Sequence, residues 1–164
     1  MKFAASTVQS STDSPLGRII LAANGDRLAG VWFTDQRHEP DASAWAIEDE
    51  RPIFELARSQ LNDYFAGVRT GFDLPLDFSC GSAFQQRVWR ALLGIPFGAT
   101  TSYGALSAAI GQPSAVRAVG GAVGRNPLGI VVPCHRVIGA DGSLTGYAGG
   151  LERKTRLLQL EGIL

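Results

Sequence analysis

The chain has 164 residues, 45% of them apolar and 18% charged, with 15 basic and 15 acidic side chains, which fits one large globular domain or two small ones sharing a core. No apolar run approaches the ~20 residues of a membrane span, and Met1-Lys2-Phe3-Ala4-Ala5-Ser6-Thr7 lacks the continuous apolar core of a secretion signal. Cys80 and Cys134 are too few for a disulfide framework or a cysteine-built zinc site, so a reduced, cytoplasmic protein is expected. The zero net charge hides an asymmetry: residues 1–79 carry seven Lys and Arg against twelve acids, residues 80–164 eight against three. A basic C-terminal half suggests a polyanionic partner there, with chance segregation of solvated charge as the plainer reading.

In chain order, Gly17 to Ala23, the turn Asn24-Gly25-Asp26 and Arg27 to Phe33 form a β-hairpin pattern. Thr34 to Arg51 is polar and acidic and reads as loop. Ile53, Leu56, Ala57, Leu61, Tyr64 and Phe65 recur at helical spacing, and Gly67 supplies a stop. Phe72, Leu74, Leu76 and Phe78 alternate strictly, which predicts a strand. Gly81-Ser82 then marks a boundary between two lobes, 1–79 and 80–164. Beyond it, Ser82 caps a helix to Leu93 with Phe84, Val88, Trp89 and Leu92 on one face. Gly94 to Thr101 is a Gly/Pro loop. A short helix, Ser102 to Ile110, is followed by the turn Gly111-Gln112-Pro113 and by a helix opened by Ser114 and stopped by Pro127, which is helix-turn-helix spacing. Leu151 to Leu160 is a final helix, with Arg153, Lys154 and Arg156 outward and Leu157 and Leu158 inward.

The helix from Ser114 to Gly124 is built from small residues around a single charge, Arg117. Gly120, Gly121 and Gly124 each weaken it by about 1 kcal/mol relative to Ala, so something must favour them. Either another helix packs closely against them, or the slim face receives an external surface such as a DNA groove.

The chemistry concentrates at Pro133-Cys134-His135-Arg136-Val137, where one of two cysteines precedes one of two histidines. Ile130-Val131-Val132 ahead of it reads as a buried strand. An inert core cysteine is the commoner fate of this residue type. Adjacent His135 and Arg136 instead favour a thiolate, the nucleophilic form. In an extended segment Cys134 and His135 point to opposite faces, so the imidazole reaches the sulfur through a water or a chain turn. A third group must orient that imidazole, and Glu161 behind the last helix is the candidate. Asn126 stands where it could tie the small-residue helix to the segment carrying Cys134, or be an ordinary turn residue. Tyr103 and Tyr147 could wall a pocket, the latter within the flexible run Thr145 to Gly150.

Four strings, FQQRVWRALLGIPFGATTSYG, AIGQPSAVRAVGGAVGRNP, VVPCHRVIGADGSLTGYAGGL and KTRLLQLEG, resemble the O6-alkylguanine-DNA alkyltransferase family and cover nearly all of residues 83–162. The resemblance implies an α+β fold: a small ribonuclease H-like β-sheet lobe with a helix, packed on a mainly helical lobe with a helix-turn-helix. It implies that Cys134 accepts the alkyl group, His135 is its water-linked base, Glu161 completes the relay and Asn126 is the hinge. Arg117 resembles the arginine that replaces an extruded guanine, and Tyr103 the tyrosine that helps protonate the leaving base. The DNA-facing set also includes Ser114, Ala118, Gly121, Gly104, Gln112 and Phe84, with entry into the minor groove. The pocket set is Tyr147, Ala148, Gly149, Lys154 and Val137. Ala148 and Val116 depart from residues common in relatives, and His38 and Cys80 alone do not supply the zinc cluster some relatives carry in the first lobe.

The implied partner is double-stranded DNA containing O6-alkylguanine, with O4-alkylthymine as a second substrate, no cofactor, no metal and no membrane. The protein is expected to be a monomer in solution, with cooperative binding along DNA left open. The target atom is inaccessible in a duplex, so the nucleotide must flip out. Phosphate contacts are expected from Arg87, Arg90, Arg125 and Arg136. The alternatives are a lesion-binding module that repairs nothing, a class that lacks the acceptor cysteine, and a cysteine hydrolase, which would need an oxyanion hole.

Overall fold

A computed structural model describes residues 1–164. Four strands, β1 (Val8–Thr12), β2 (Ile19–Asn24), β3 (Arg27–Phe33) and β4 (Ala46–Ile47), form a sheet in the order β3-β2-β1-β4. Its β1–β2 and β2–β3 pairs are antiparallel and its β1–β4 pair parallel. The expected hairpin is β2–β3, turned by Gly25-Asp26 with Gly25 at φ 59°, a conformation that costs glycine little. Helix α1 (Pro52–Phe65) lays Ile53, Phe54, Ala57, Leu61 and Tyr64 onto that sheet. Gln60 on the same helix hydrogen-bonds both the N–H and the C=O of Asp73, which pins the chain that follows.

Two expectations are corrected here, and one strand was not anticipated. The strand over Phe72–Phe78 does not form: Pro75 interrupts it and has no N–H to donate. Only one bridge survives, Leu28 with Leu76, because the rest of the outer edge of β3 is taken at Val31 by Leu128. The stretch Thr34–Arg51 is not wholly loop, since it contains β4. Strand β1 (VQSST) carries too little apolar alternation to be read from sequence. Its Ser10 is buried and bonded to Asp49 at 2.6 Å.

The second lobe holds α2 (Ala83–Leu92), β5 (Thr101–Ser102), α3 (Tyr103–Ala109), α4 (Val116–Gly124), a 3₁₀ turn (Cys134–Arg136), β6 (Val137–Ile138) and α5 (Leu151–Leu160). The Ser82 cap on α2 is a complete capping box with Gln85. Helix α4 starts at Val116, not Ser114. Ala115 occupies the N-cap position with no side-chain bond, and Ser114 stays exposed outside the helix. The α3–α4 pair is the expected helix-turn-helix. It packs on α2 through Val119, Ala122 and Val123, and Trp89 donates its indole N–H to the Ala122 carbonyl at 2.8 Å.

One core of 29 buried residues runs from Val8 through Leu157 and includes side chains of both lobes. Backbone bonds also join them: Val31 N–H to Pro127 O at 2.8 Å and Gly129 N–H to Val31 O at 3.1 Å. The β3 edge therefore grips the segment leading to Cys134. No helix is long and apolar enough to cross a membrane.

Candidate active site

Between α4 and Cys134 the chain is buried but is not the strand that Ile130-Val131-Val132 suggests. It folds in tight turns, with Val131 N–H to Gly129 O and Cys134 N–H to Val132 O both at 2.8 Å, and Ile130 at φ 70°. Asn126 imposes this shape. Its amide donates to Val132 O at 2.9 Å, and its carbonyl accepts from Leu128 N–H at 3.0 Å. The buried Asn126 side chain thus spans the whole turn, tying the end of α4 to the residue before Pro133. Cys134, His135 and Arg136 then form the 3₁₀ turn, so the two neighbours are related by a turn and not by an extended step.

Cys134 lies on the floor of a cavity of about 330 Å³, its mouth open between the two lobes. Tyr103, Tyr147, Ala148, Gly120 and Gly121 line it. Burial raises the Cys134 pKa, and the Asn126 amide, the Lys154 charge and the backbone N–H groups of Cys134 and His135 act the other way without prevailing. The resting sulfur is therefore a thiol, whereas the adjacent cations alone suggested a standing thiolate.

His135 is wholly buried. Its Nε2 lies 2.8 Å from Glu161 Oε1, and its Nδ1 has no hydrogen-bond partner in the protein. Glu161 caps the C-terminal end of α5. Its carboxylate also accepts from Arg136 Nε and Nη2 and from the Tyr64 hydroxyl, each at 2.8 Å. Burial opposes its charge, but the bonds from His135, Arg136 and Tyr64 outweigh that and hold its pKa at about 2. A permanent carboxylate against Nε2 places the imidazole proton there and leaves Nδ1 as a lone pair. Burial keeps the ring neutral by lowering its pKa, against the pull of Glu161. A neutral imidazole with a free basic nitrogen, on the residue next to a thiol, can receive the thiol proton through a bridging water.

Two partners of Glu161 were not apparent from sequence. Arg136, expected on phosphate, is buried between Glu161 and the Ile95 carbonyl at 2.7 Å. Tyr64 read as one more member of the α1 apolar face. The available signal was its hydroxyl, which a buried tyrosine must satisfy.

Lys154 also departs from expectation. It is fully buried, not on the outer face of α5, and its ammonium donates to Val137 O (2.6 Å), Thr145 O (2.9 Å) and Gly146 O (3.2 Å). Val137, Gly149 and Lys154 do not line the cavity, while Tyr147 and Ala148 do. The loop Thr145–Gly150 has few polar side chains and is gripped by its carbonyls. Tyr103 also donates to Thr145 O (3.3 Å), Arg37 N–H to Ala148 O (2.9 Å) and Arg153 to Gly149 O (3.2 Å). Lys154→Met keeps the apolar stem but leaves three carbonyls without their cation. It should cost about 1–3 kcal/mol, seen as a fall of several degrees in Tm and faster proteolysis within Thr145–Gly150.

The α4 glycines settle one alternative. A Cβ on Gly121 or Gly124 would meet nothing within 4 Å, and on Gly120 only the Tyr103 ring at 3.7 Å. Internal packing does not require them; they keep an outward face slim. Arg117, Ala118 and Gly121 are exposed along it. Gly104 is exposed at the start of α3, Ser114 is exposed and Gln112 half-buried in the turn between α3 and α4, and Phe84 is half-buried under the Arg87 guanidinium. None of these four lines the cavity.

A buried thiol lining a hollow, next in sequence to a carboxylate-anchored imidazole and flanked by a slim-faced helix-turn-helix, is the arrangement expected of a nucleophilic-cysteine protein. Known proteins agree with this class. Residues 7–78 match the model of the 6-O-methylguanine DNA methyltransferase ribonuclease-like domain, and residues 83–163 that of the 6-O-methylguanine DNA methyltransferase DNA binding domain. The chain belongs to the 6-O-methylguanine DNA methyltransferase family. A methylated-DNA–protein-cysteine methyltransferase of Mycobacterium leprae is 54% identical over 151 residues, covering 92% of this chain and 90% of the relative. That of Haemophilus influenzae is 44% identical over 92% of this chain and 83% of its own length. The crystal structure of Mycobacterium tuberculosis OGT in complex with DNA superposes with a TM-score of 0.88 at 51% identity, covering 94% of this chain and 92% of that one.

Proposed function

We propose that this chain repairs DNA as a methylated-DNA–protein-cysteine methyltransferase, moving an alkyl group from guanine O6, and from thymine O4, to Cys134 Sγ. The observation that carries the reading is the arrangement at the cavity floor: Cys134 facing the hollow, with His135 Nδ1 unpaired and Nε2 held by Glu161. The DNA binding domain model matched by residues 83–163 and the open face of α4 support DNA as the partner.

In the proposed reaction the nucleotide flips into the cavity and Arg117 takes its place in the base stack, offsetting part of the few kcal/mol of unstacking. The thiol proton passes to His135 Nδ1 through a bridging water, and Glu161 stabilises the resulting cation. The thiolate attacks the alkyl carbon in line, the S–C bond forms and the C–O6 bond breaks. Its electron pair leaves with guanine, which Tyr103 helps to protonate. Tyr103 lines the cavity, and burial raises its pKa, so it meets the base as a protonated phenol that can offer a hydrogen bond. The product is a thioether that no neighbouring group can cleave, so each molecule acts once. A module that only binds lesions would have no use for a sulfur at this position.

Mixing the protein with a duplex containing O6-methylguanine should add the mass of one methylene per chain, on the peptide holding Cys134. Methylation of Cys80 instead, or no mass gain, would overturn the assignment.

A further inference from the structure

The cavity mouth has a second wall, contributed by the β-lobe. Arg37 and His38, in the loop after β3, line the same hollow as Cys134, and Arg125 at the C-terminal end of α4 faces them across it. Six ion pairs form in the protein, and neither Arg37 nor Arg125 takes part in one. Arg125 gains from the negative end of the α4 dipole, but no such group accounts for Arg37. His38 lies close enough to feel both cations: burial first, then the charges of Arg125 and Arg37, lower its pKa.

The placement is also built. Gln36 Oε1 accepts from Phe33 N–H at 2.9 Å, and Arg37 N–H donates to Ala148 O at 2.9 Å, fastening the loop to the pocket wall. His38 is held at φ 60°, a conformation that side chains other than glycine seldom adopt. A strained residue next to two unpaired cations at a cavity mouth is the pattern of an anion-binding position.

We infer that Arg37, His38 and Arg125 form a clamp for a backbone phosphate of the strand whose nucleotide enters the cavity. The inference rests on the proposed flipping of a base onto Cys134. A base at the cavity floor is one sugar away from its phosphates, which must then lie at the mouth. The β-lobe thus joins DNA recognition from the side opposite the helix-turn-helix, despite its acidic composition. A carboxylate on the alkyl adduct offers the same chemistry from another source, and the assay separates the two.

The test compares Arg37→Ala and Arg37→Lys in a Cys134→Ser background for equilibrium binding, and with Cys134 intact for alkyl transfer. On O6-methylguanine duplex, Arg37→Ala should weaken binding roughly tenfold and make the plot of log affinity against log salt shallower by about 0.9, the value of one phosphate. Arg37→Lys should restore most of both. Alkyl transfer from free O6-benzylguanine, which has no phosphate, should suffer at least tenfold less than transfer from the duplex. Unchanged duplex affinity and salt slope, or an equal loss on the free base, would overturn the clamp, as would a loss confined to O6-carboxymethylguanine duplex. If the unaltered chain took no methyl from DNA, the functional reading would fall while the binding comparison still decided the clamp.

Discussion

Cys134→Ser should reduce alkyl transfer to background while binding to alkylated duplex is retained. Oxygen for sulfur barely changes shape, so the cavity and the turn set by Asn126 persist. The hydroxyl, however, is far harder to ionise and a weaker nucleophile than a thiol. Cys80→Ser should leave transfer intact, and the contrast is informative because both sulfurs are buried. Burial and the Asp77 charge push the Cys80 thiol up to about 11, and no imidazole stands beside it to take its proton. At Cys134 burial acts in the same direction, but Asn126, Lys154 and two backbone N–H groups oppose it. The competent form pairs neutral Cys134 with neutral His135, whose pKa lies below the ordinary 6.5. Transfer should therefore be flat through neutral pH and decline only in acid, as His135 gains a proton and can no longer accept one. A single-turnover rate measured against pH would show this, and a steep rise through neutrality would contradict it.

Local signals were legible wherever one short segment determines its own structure. The β2–β3 hairpin, α1, the Ser82 cap and the helix-turn-helix follow from turn residues, caps and periodicity that need no distant partner. The PCHRV string singled out Cys134, which lines the cavity, and His135, which Glu161 holds. What could not be read depended on contacts between remote segments. The Phe72–Phe78 alternation is real in its burial, yet Pro75 and the competition of Leu128 for the β3 edge prevent a strand. Ile130–Val132 is apolar enough for a strand, but the Asn126 side chain bends it. Lys154 looks like a surface lysine until the carbonyls of the Thr145–Gly150 loop surround it. Tyr64 is 97 residues from Glu161, and no spacing rule joins them.

Glu161→Gln should damage both stability and transfer, and acid unfolding can isolate the cause. The carboxylate accepts four hydrogen bonds in a site closed to solvent. A neutral amide turns an N–H toward groups that are themselves donors and leaves the buried Arg136 guanidinium without its counter-charge. Breaking a buried pair in this way costs about 3–5 kcal/mol, a Tm loss of roughly 6–20 °C for a chain of this size. Tyr64→Phe removes one bond and should cost about 1 kcal/mol. The sign of the pH dependence follows from the folded pKa of about 2 against the ordinary 4.5. The carboxylate contributes its full stabilisation above 4.5 and loses it as pH falls toward 2, on the order of 3 kcal/mol in all. The Gln variant has no such proton to bind, so its urea midpoint should fall less than that of the unaltered protein between pH 6 and pH 3. Transfer should slow by about 10²- to 10⁴-fold, because His135 loses the negative charge that orients it and stabilises its cation, while Tyr64→Phe keeps that charge and should slow it little. Equal acid sensitivity in the Gln variant and the unaltered chain would show that Glu161 is not held ionised, and the proton path drawn through His135 would have to be abandoned.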